Sequence, residues 1–173
     1  MKRSLMAAAL ILCAHTAWAG KAHEHGAARL DVAYEAGKLS FGLESPLDGV
    51  LGFERAPRSD AEKQKVEKMV ATLKAADKLF VIDPAAQCSL AKVDLTSAPL
   101  KLGAASPAGK ADDGHGDIDA DIEFSCKNAP AFVDVALFIS FPRMSRLDVQ
   151  TATPKGQRKL VLKRGTQRID LSR

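Results

Sequence analysis

Leu30-Asp31-Val32-Ala33-Tyr34-Glu35-Ala36-Gly37-Lys38-Leu39-Ser40-Phe41-Gly42-Leu43 is the stretch that decides the fold. Leu30, Val32 and Tyr34 alternate with polar or small residues, and Leu39, Phe41 and Leu43 repeat the pattern. That two-residue period marks strands with one buried face. Between them Glu35-Ala36-Gly37-Lys38 supplies a glycine suited to a tight turn, so the two strands should form a hairpin. Pro46 ends the second strand. Gly49 and Gly52 then break residues 47–53 into a packed, irregular connection with room for one helical turn.

Downstream, Ser59 and Glu62 have capping-box spacing, in which each side chain satisfies a backbone N–H left open at a helix start. Val66, Met69, Val70, Leu73 and then Leu79 or Phe80 fall on one helical face, with lysines on the rest. Asp83-Pro84 stops that helix. Residues 90–95 read as a strand, and residues 103–116, rich in Gly, Ala, Ser and Pro, as an exposed loop. Asp117, Asp119, Asp121 and Glu123 alternate with apolar residues, giving a strand with one acidic face. Residues 132–141 are apolar on both faces except Asp134 and Ser140, the pattern of a central strand closed by Pro142. Leu147, Val149 and Thr151 form another strand, and residues 160–171 with a turn at Gly165 suggest a closing hairpin. The fold class expected is α+β: a mainly antiparallel sheet or sandwich with one amphipathic helix packed on one side.

Upstream of the hairpin, Lys2 and Arg3 precede an apolar run at residues 5–14, and Ala17-Trp18-Ala19 is a small-x-small cleavage signal. This reads as a secretory signal peptide cut after Ala19. The run is too short to span a bilayer, and no later segment reaches ~18 apolar residues, so no transmembrane segment is expected after cleavage. Residues 20–173 suit one exported domain with a real core. Loss of Lys2 and Arg3 lowers the net charge from +4 to +2, and no basic stripe interleaves with aromatics, which argues against nucleic acid as a partner. Cys13 leaves with the signal. Cys88 and Cys126 remain, and two cysteines in an oxidising compartment most often pair. The bridge would close roughly 39 residues and be worth on the order of 4 kcal/mol. A pair of thiolate metal ligands is the competing reading.

The start of the mature chain carries the residues best suited to chemistry. His23 and His25, in His23-Glu24-His25-Gly26, stand two apart, so an extended backbone points both to one side, where neutral imidazoles could share one ion. A tetrahedral zinc site needs further ligands, from His115, Glu24, Asp112, Asp113 or Asp117. Cleavage one residue later would leave Lys21-Ala22-His23, whose third-position histidine and free amine suit square-planar copper or nickel. The bland reading is an exposed terminus that binds nothing. Asp117-Ile118-Asp119-Ala120-Asp121 resembles the start of a calcium loop. The required glycine and glutamate positions hold Ile122 and Asn128, so that reading is rejected. No nucleophile elbow, phosphate loop or HExxH motif is present, and nothing argues for an enzyme.

Taken together, His23-Glu24-His25-Gly26, Leu43-Glu44-Ser45-Pro46, Leu51-Gly52-Phe53-Glu54 and Ala86-Gln87-Cys88 resemble the ZrgA-like family of periplasmic zinc-binding proteins. So do Phe124-Ser125-Cys126, Leu137-Phe138-Ile139-Ser140-Phe141-Pro142, Leu147-Asp148-Val149-Gln150 and Gln157, so the resemblance covers nearly the whole mature chain. It implies a periplasmic protein that binds zinc and supports zinc acquisition or homeostasis, beside a transporter component at the inner membrane. It also implies the Cys88–Cys126 disulfide. One departure stands out. The family's histidine-rich insert before the second-cysteine strand is here Ala108-Gly109-Lys110-Ala111-Asp112-Asp113-Gly114-His115-Gly116-Asp117, with a single histidine. A single site of His23, His25 and His115, with Asp117 as an acidic fourth ligand, is the metal-binding expectation. The alternative is a metal-independent module that docks on the transporter.

Overall fold

The computed structural model describes residues 26–103, 116–165 and 167–172. The hairpin forms as expected: β1 (Ala27–Glu35) pairs antiparallel with β2 (Lys38–Pro46), Glu35 opposite Lys38. Ala36 and Gly37 both hold positive φ, 49° and 82°, the two-residue turn whose twist matches the flanking strands. On the other side of β2 lies β5 (Asp117–Cys126), and beyond it β4 (Cys88–Thr96), both antiparallel. β1 takes β7 (Arg146–Thr153) on its free edge, and β8 (Gly156–Lys163) follows as a hairpin. The order of this six-stranded sheet is β4-β5-β2-β1-β7-β8, with β1–β7 its one parallel pair.

Alternation then sets which face is dry. Leu30 and Val32, Leu39, Phe41 and Leu43, Ile118, Ile122 and Phe124, and Leu147 and Val149 are all buried on one side of the sheet. A second sheet covers them, formed by β3 (Phe80–Ile82), β6 (Phe132–Val135) and β9 (Arg168–Asp170) in the order β3-β6-β9. Phe41 is the joint between the sheets. It stacks on Phe80 at 4.3 Å between ring centres and meets Phe124 edge-on at 5.8 Å. Such pairs add about 0.5–1.5 kcal/mol each beyond the area they bury.

The helix expected after Ser59 is α2 (Asp60–Lys74), preceded by the short α1 (Leu47–Leu51) in the irregular connection. Met69 and Leu73 face the core, and the lysines face water. Ser59 Oγ accepts from Glu62 N at 3.2 Å. The Glu62 carboxylate accepts from Arg58 N at 2.6 Å and from both guanidinium nitrogens of Arg55 at 3.0 and 2.8 Å. The Arg55 bond foremost, then the Arg58 N–H, hold its pKa down to about 2.

Three expectations need correction. The apolar face does not run through one helix to Phe80: α2 ends at Ala75 (φ −87°, ψ 50°), and a separate turn, α3 (Ala76–Leu79), delivers Leu79 and Phe80 to the core. Residues 132–141 are not one strand. β6 stops at Val135 and α4 (Leu137–Ser140) follows, burying Leu137 and Phe138 and leaving Ile139 71% exposed. An apolar run of that length satisfies a buried strand and a buried helical turn equally. Nor do residues 160–171 close a hairpin. β8 turns back on β7 at Pro154 and Lys155, and the chain after Gly165 (φ 93°) crosses to the second sheet, where β9 pairs with β6.

Candidate metal-handling end of the sheet

Three strand termini meet at one end of the larger sheet. Pro46, the last residue of β2, is the register partner of Asp117, the first of β5. The β1–β2 register runs from Glu35 opposite Lys38 to Arg29 opposite Glu44. Carried two residues further, it sets Ala27 beside Pro46. The start of β1 and the start of β5 are therefore two strand spacings apart, roughly 10 Å.

Two glycines fix these starts. Gly116 is buried, and its carbonyl accepts from Leu47 N at 2.8 Å. A Cβ there would lie 2.5 Å from the Glu54 carbonyl oxygen and 2.7 Å from Pro99 Cγ, so no side chain fits without moving backbone. Gly26 takes φ +77°, and its carbonyl accepts from Ser145 N at 2.8 Å and Arg146 N at 3.2 Å. Asp117 is half-buried, and its main-chain oxygen accepts from the buried Ser97 hydroxyl at 2.7 Å. Arg143 closes the same end over α1: Nε donates to the Asp48 carbonyl and Nη2 to its carboxylate, both at 2.9 Å.

Of the residues singled out in the sequence, Asp117 is placed at this end. His23, His25 and His115 lie outside the described residues, as do Glu24, Asp112 and Asp113. Their chain neighbours do not: Gly26 follows His25 and Gly116 follows His115, and both are at this end. Among the described residues, no group of three or more His, Cys, Asp or Glu is arranged to hold a metal ion.

Cys88 and Cys126 are directly opposite each other in the β4–β5 register and are joined in a disulfide. The thiolate-ligand reading is thereby overturned, because both sulfurs are bonded to each other. They also sit at the wrong end. β5 runs ten residues from Asp117 to Cys126, about 30 Å at strand rise.

Arg143, Ser97 and Asp48 were not legible as parts of this end. The only sequence signal was indirect: small or polar residues beside proline, in Ala98-Pro99 and Pro142-Arg143, where the backbone must turn. No helix among the described residues is long and apolar enough to cross a membrane. Compared with known families, residues 22–171 match the profile described as ZrgA family zinc uptake protein. No curated protein matches the chain.

Proposed function

The chain belongs to the ZrgA family of zinc uptake proteins, and on that premise we propose that it captures zinc in the periplasm at the end of the sheet where β1 and β5 begin. The family is one of zinc uptake rather than of an enzyme. The proposed ligands are His23, His25 and His115, with Asp117 as the fourth. One observation supports this set above others. The antiparallel order β1-β2-β5 brings Gly26 and Gly116, the residues next to His25 and His115, to the same end of one sheet. Three imidazoles and a carboxylate are donors that zinc accepts in tetrahedral geometry. With one histidine where the family has a rich insert, the chain handles one ion at a time. The signal peptide directs export and is cleaved after Ala19, and a transporter component at the inner membrane receives the ion.

Because neutral imidazole is the ligating form, affinity falls as pH drops through about 6.5. Calorimetric titration of the exported protein with zinc, beside the His23→Ala, His25→Ala, His115→Ala triple variant, tests the proposal. The expected result is one-to-one binding, lost in the variant. Binding of equal strength in both would reject the ligand set. Parallel titrations with copper and nickel show whether a site at the free amine competes.

A further inference from the structure

Among the described residues nothing covers the second face of the six-stranded sheet, and its polar residues are sorted by charge. Antiparallel sheets commonly leave one face to water. This one is shaped as well as polar: it forms a trough of about 820 Å³, open along the strands. One row crosses it in register, Asp94-Asp121-Gly42-Asp31-Gln150-Lys159. Asp94 is bound by Lys92 at 2.5 Å. Asp31 and Asp121, on either side of Gly42, make no side-chain hydrogen bond or ion pair among the described residues, although the Lys92 held by Asp94 also acts on Asp121 electrostatically. The same holds for Lys159 and for Lys163, four residues on along β8. Two unpaired anions thus stand on the β5-β2-β1 half of the face and two unpaired cations on its β8 edge.

We propose that two copies of the chain associate open face to open face, about a two-fold axis parallel to the strands between β1 and β7. Such an axis lays β8 of one copy over β2 of the other and keeps the row above in register with itself. Each Lys159 then seats over the partner's Gly42, between its Asp31 and Asp121. The missing side chain at Gly42 and the short ones of Ala33 and Ala152 leave room for it. β1 lies over β7, setting Asp31 against Gln150. The area decides how strong this is. Four strands at ~4.8 Å and eight residues at ~3.3 Å cover roughly 500 Å² per copy. The pair therefore buries about 1,000 Å², the class of weak, transient associations. Its attraction is electrostatic and sensitive to salt.

Sedimentation of the exported protein at up to ~1 mM tests this, at about 0.01 M salt, where charges act over ~30 Å, and about 1 M, where they act over ~3 Å. A dimer at low salt that dissociates at high salt is expected. Three variants follow. Asp31→Lys with Asp121→Lys, and separately Lys159→Glu with Lys163→Glu, should each weaken the dimer ~10-fold or more. An equimolar mixture of the two should form a heterodimer, because each altered half meets its complement. Gly42→Val should keep the fold, since a Cβ there meets its nearest atoms at an ordinary 3.9 Å, and should abolish the dimer by filling the seat. A wild-type chain that stays monomeric at low salt overturns the proposal. So does a dimer that none of the variants weakens, or charge-reversed variants that fail to rescue each other.

Discussion

Substitution of the buried Gly116 by alanine should damage the protein far more than the addition of one methyl group would suggest. The added Cβ would stand 2.5 Å from the Glu54 carbonyl oxygen and 2.9 Å from Leu47 Cδ1, where ordinary contact begins near 3.4 Å. Two of the obstructing groups are poor at yielding: a backbone carbonyl, and the ring of Pro99. Overpacking of this kind costs about 1–3 kcal/mol. Any shift of Gly116 also stretches the 2.8 Å bond from Leu47 N, and an N–H left without a partner adds about 1–3 kcal/mol. A total of roughly 2–6 kcal/mol, at about 2–4 °C per kcal/mol for a chain of this size, lowers the midpoint of thermal unfolding by roughly 4–24 °C. Circular dichroism melts of Gly116→Ala beside Gly42→Ala make the comparison internal, because a Cβ at Gly42 meets nothing closer than 3.9 Å. Equal midpoints for Gly116→Ala and wild type would refute the packing described at this end. They would also remove the anchor that the proposed His115 ligand depends on.

Glu62 gives a second test. Its folded pKa of about 2 lies below the ordinary value of 4.5, so its contribution is fully present above pH 4.5 and is lost as pH falls from there through about 2. Glu62→Gln should flatten the acid limb of stability in that window, and Arg55→Ala should raise the Glu62 midpoint toward 4.5 in a carboxyl titration by NMR. Removal of the disulfide by Cys88→Ser and Cys126→Ser should destabilise the chain by up to about 4 kcal/mol, read by urea unfolding. Zinc affinity should stay unchanged, because the bridge lies at the far end of β5 from Asp117. Arg168→Ala removes the 2.7 and 2.6 Å bonds to Asp134 and the cation stacked 3.8 Å over Phe132. The Asp134 carboxyl, now held below its usual range chiefly by that bond, should titrate higher.

The parts of the fold that could be read from the chain are those where one local signal has one meaning. The β1–β2 hairpin was legible because alternation and a turn glycine agree, and the start of α2 because Ser59 and Glu62 cap only in one direction. Reading failed where burial is complete. Leu137 and Phe138 are buried in a helical turn, yet the same apolar run fits a central strand. It failed again where partners are distant. The β1–β7 pairing is parallel and joins residues more than a hundred apart, and β9 leaves β8 for a different sheet. No periodicity within a window of a few residues carries that information.

The candidate site shows the same division from the side of chemistry. His23 and His25 can be singled out from residue type and spacing alone, and so can His115, because an imidazole has the chemistry of a metal ligand wherever the chain puts it. Whether they act together depends on strand order, which the histidines do not encode. That information is held by residues without metal chemistry: Pro46, whose register partner is Asp117, and Gly116, whose position admits no side chain. Had β5 paired with β2 in the opposite sense, Gly116 would lie at the Cys126 end, about 30 Å away, and no shared site could be argued. Within that antiparallel pair the buried faces set the register, because Phe41 opposite Ile122 and Leu43 opposite Ala120 keep the apolar side chains on one side. A one-residue slip would turn those aromatic and aliphatic groups to water. The hydrophobic pattern thus fixes the register, and the antiparallel order β1-β2-β5 brings the neighbours of the two histidine segments to one end.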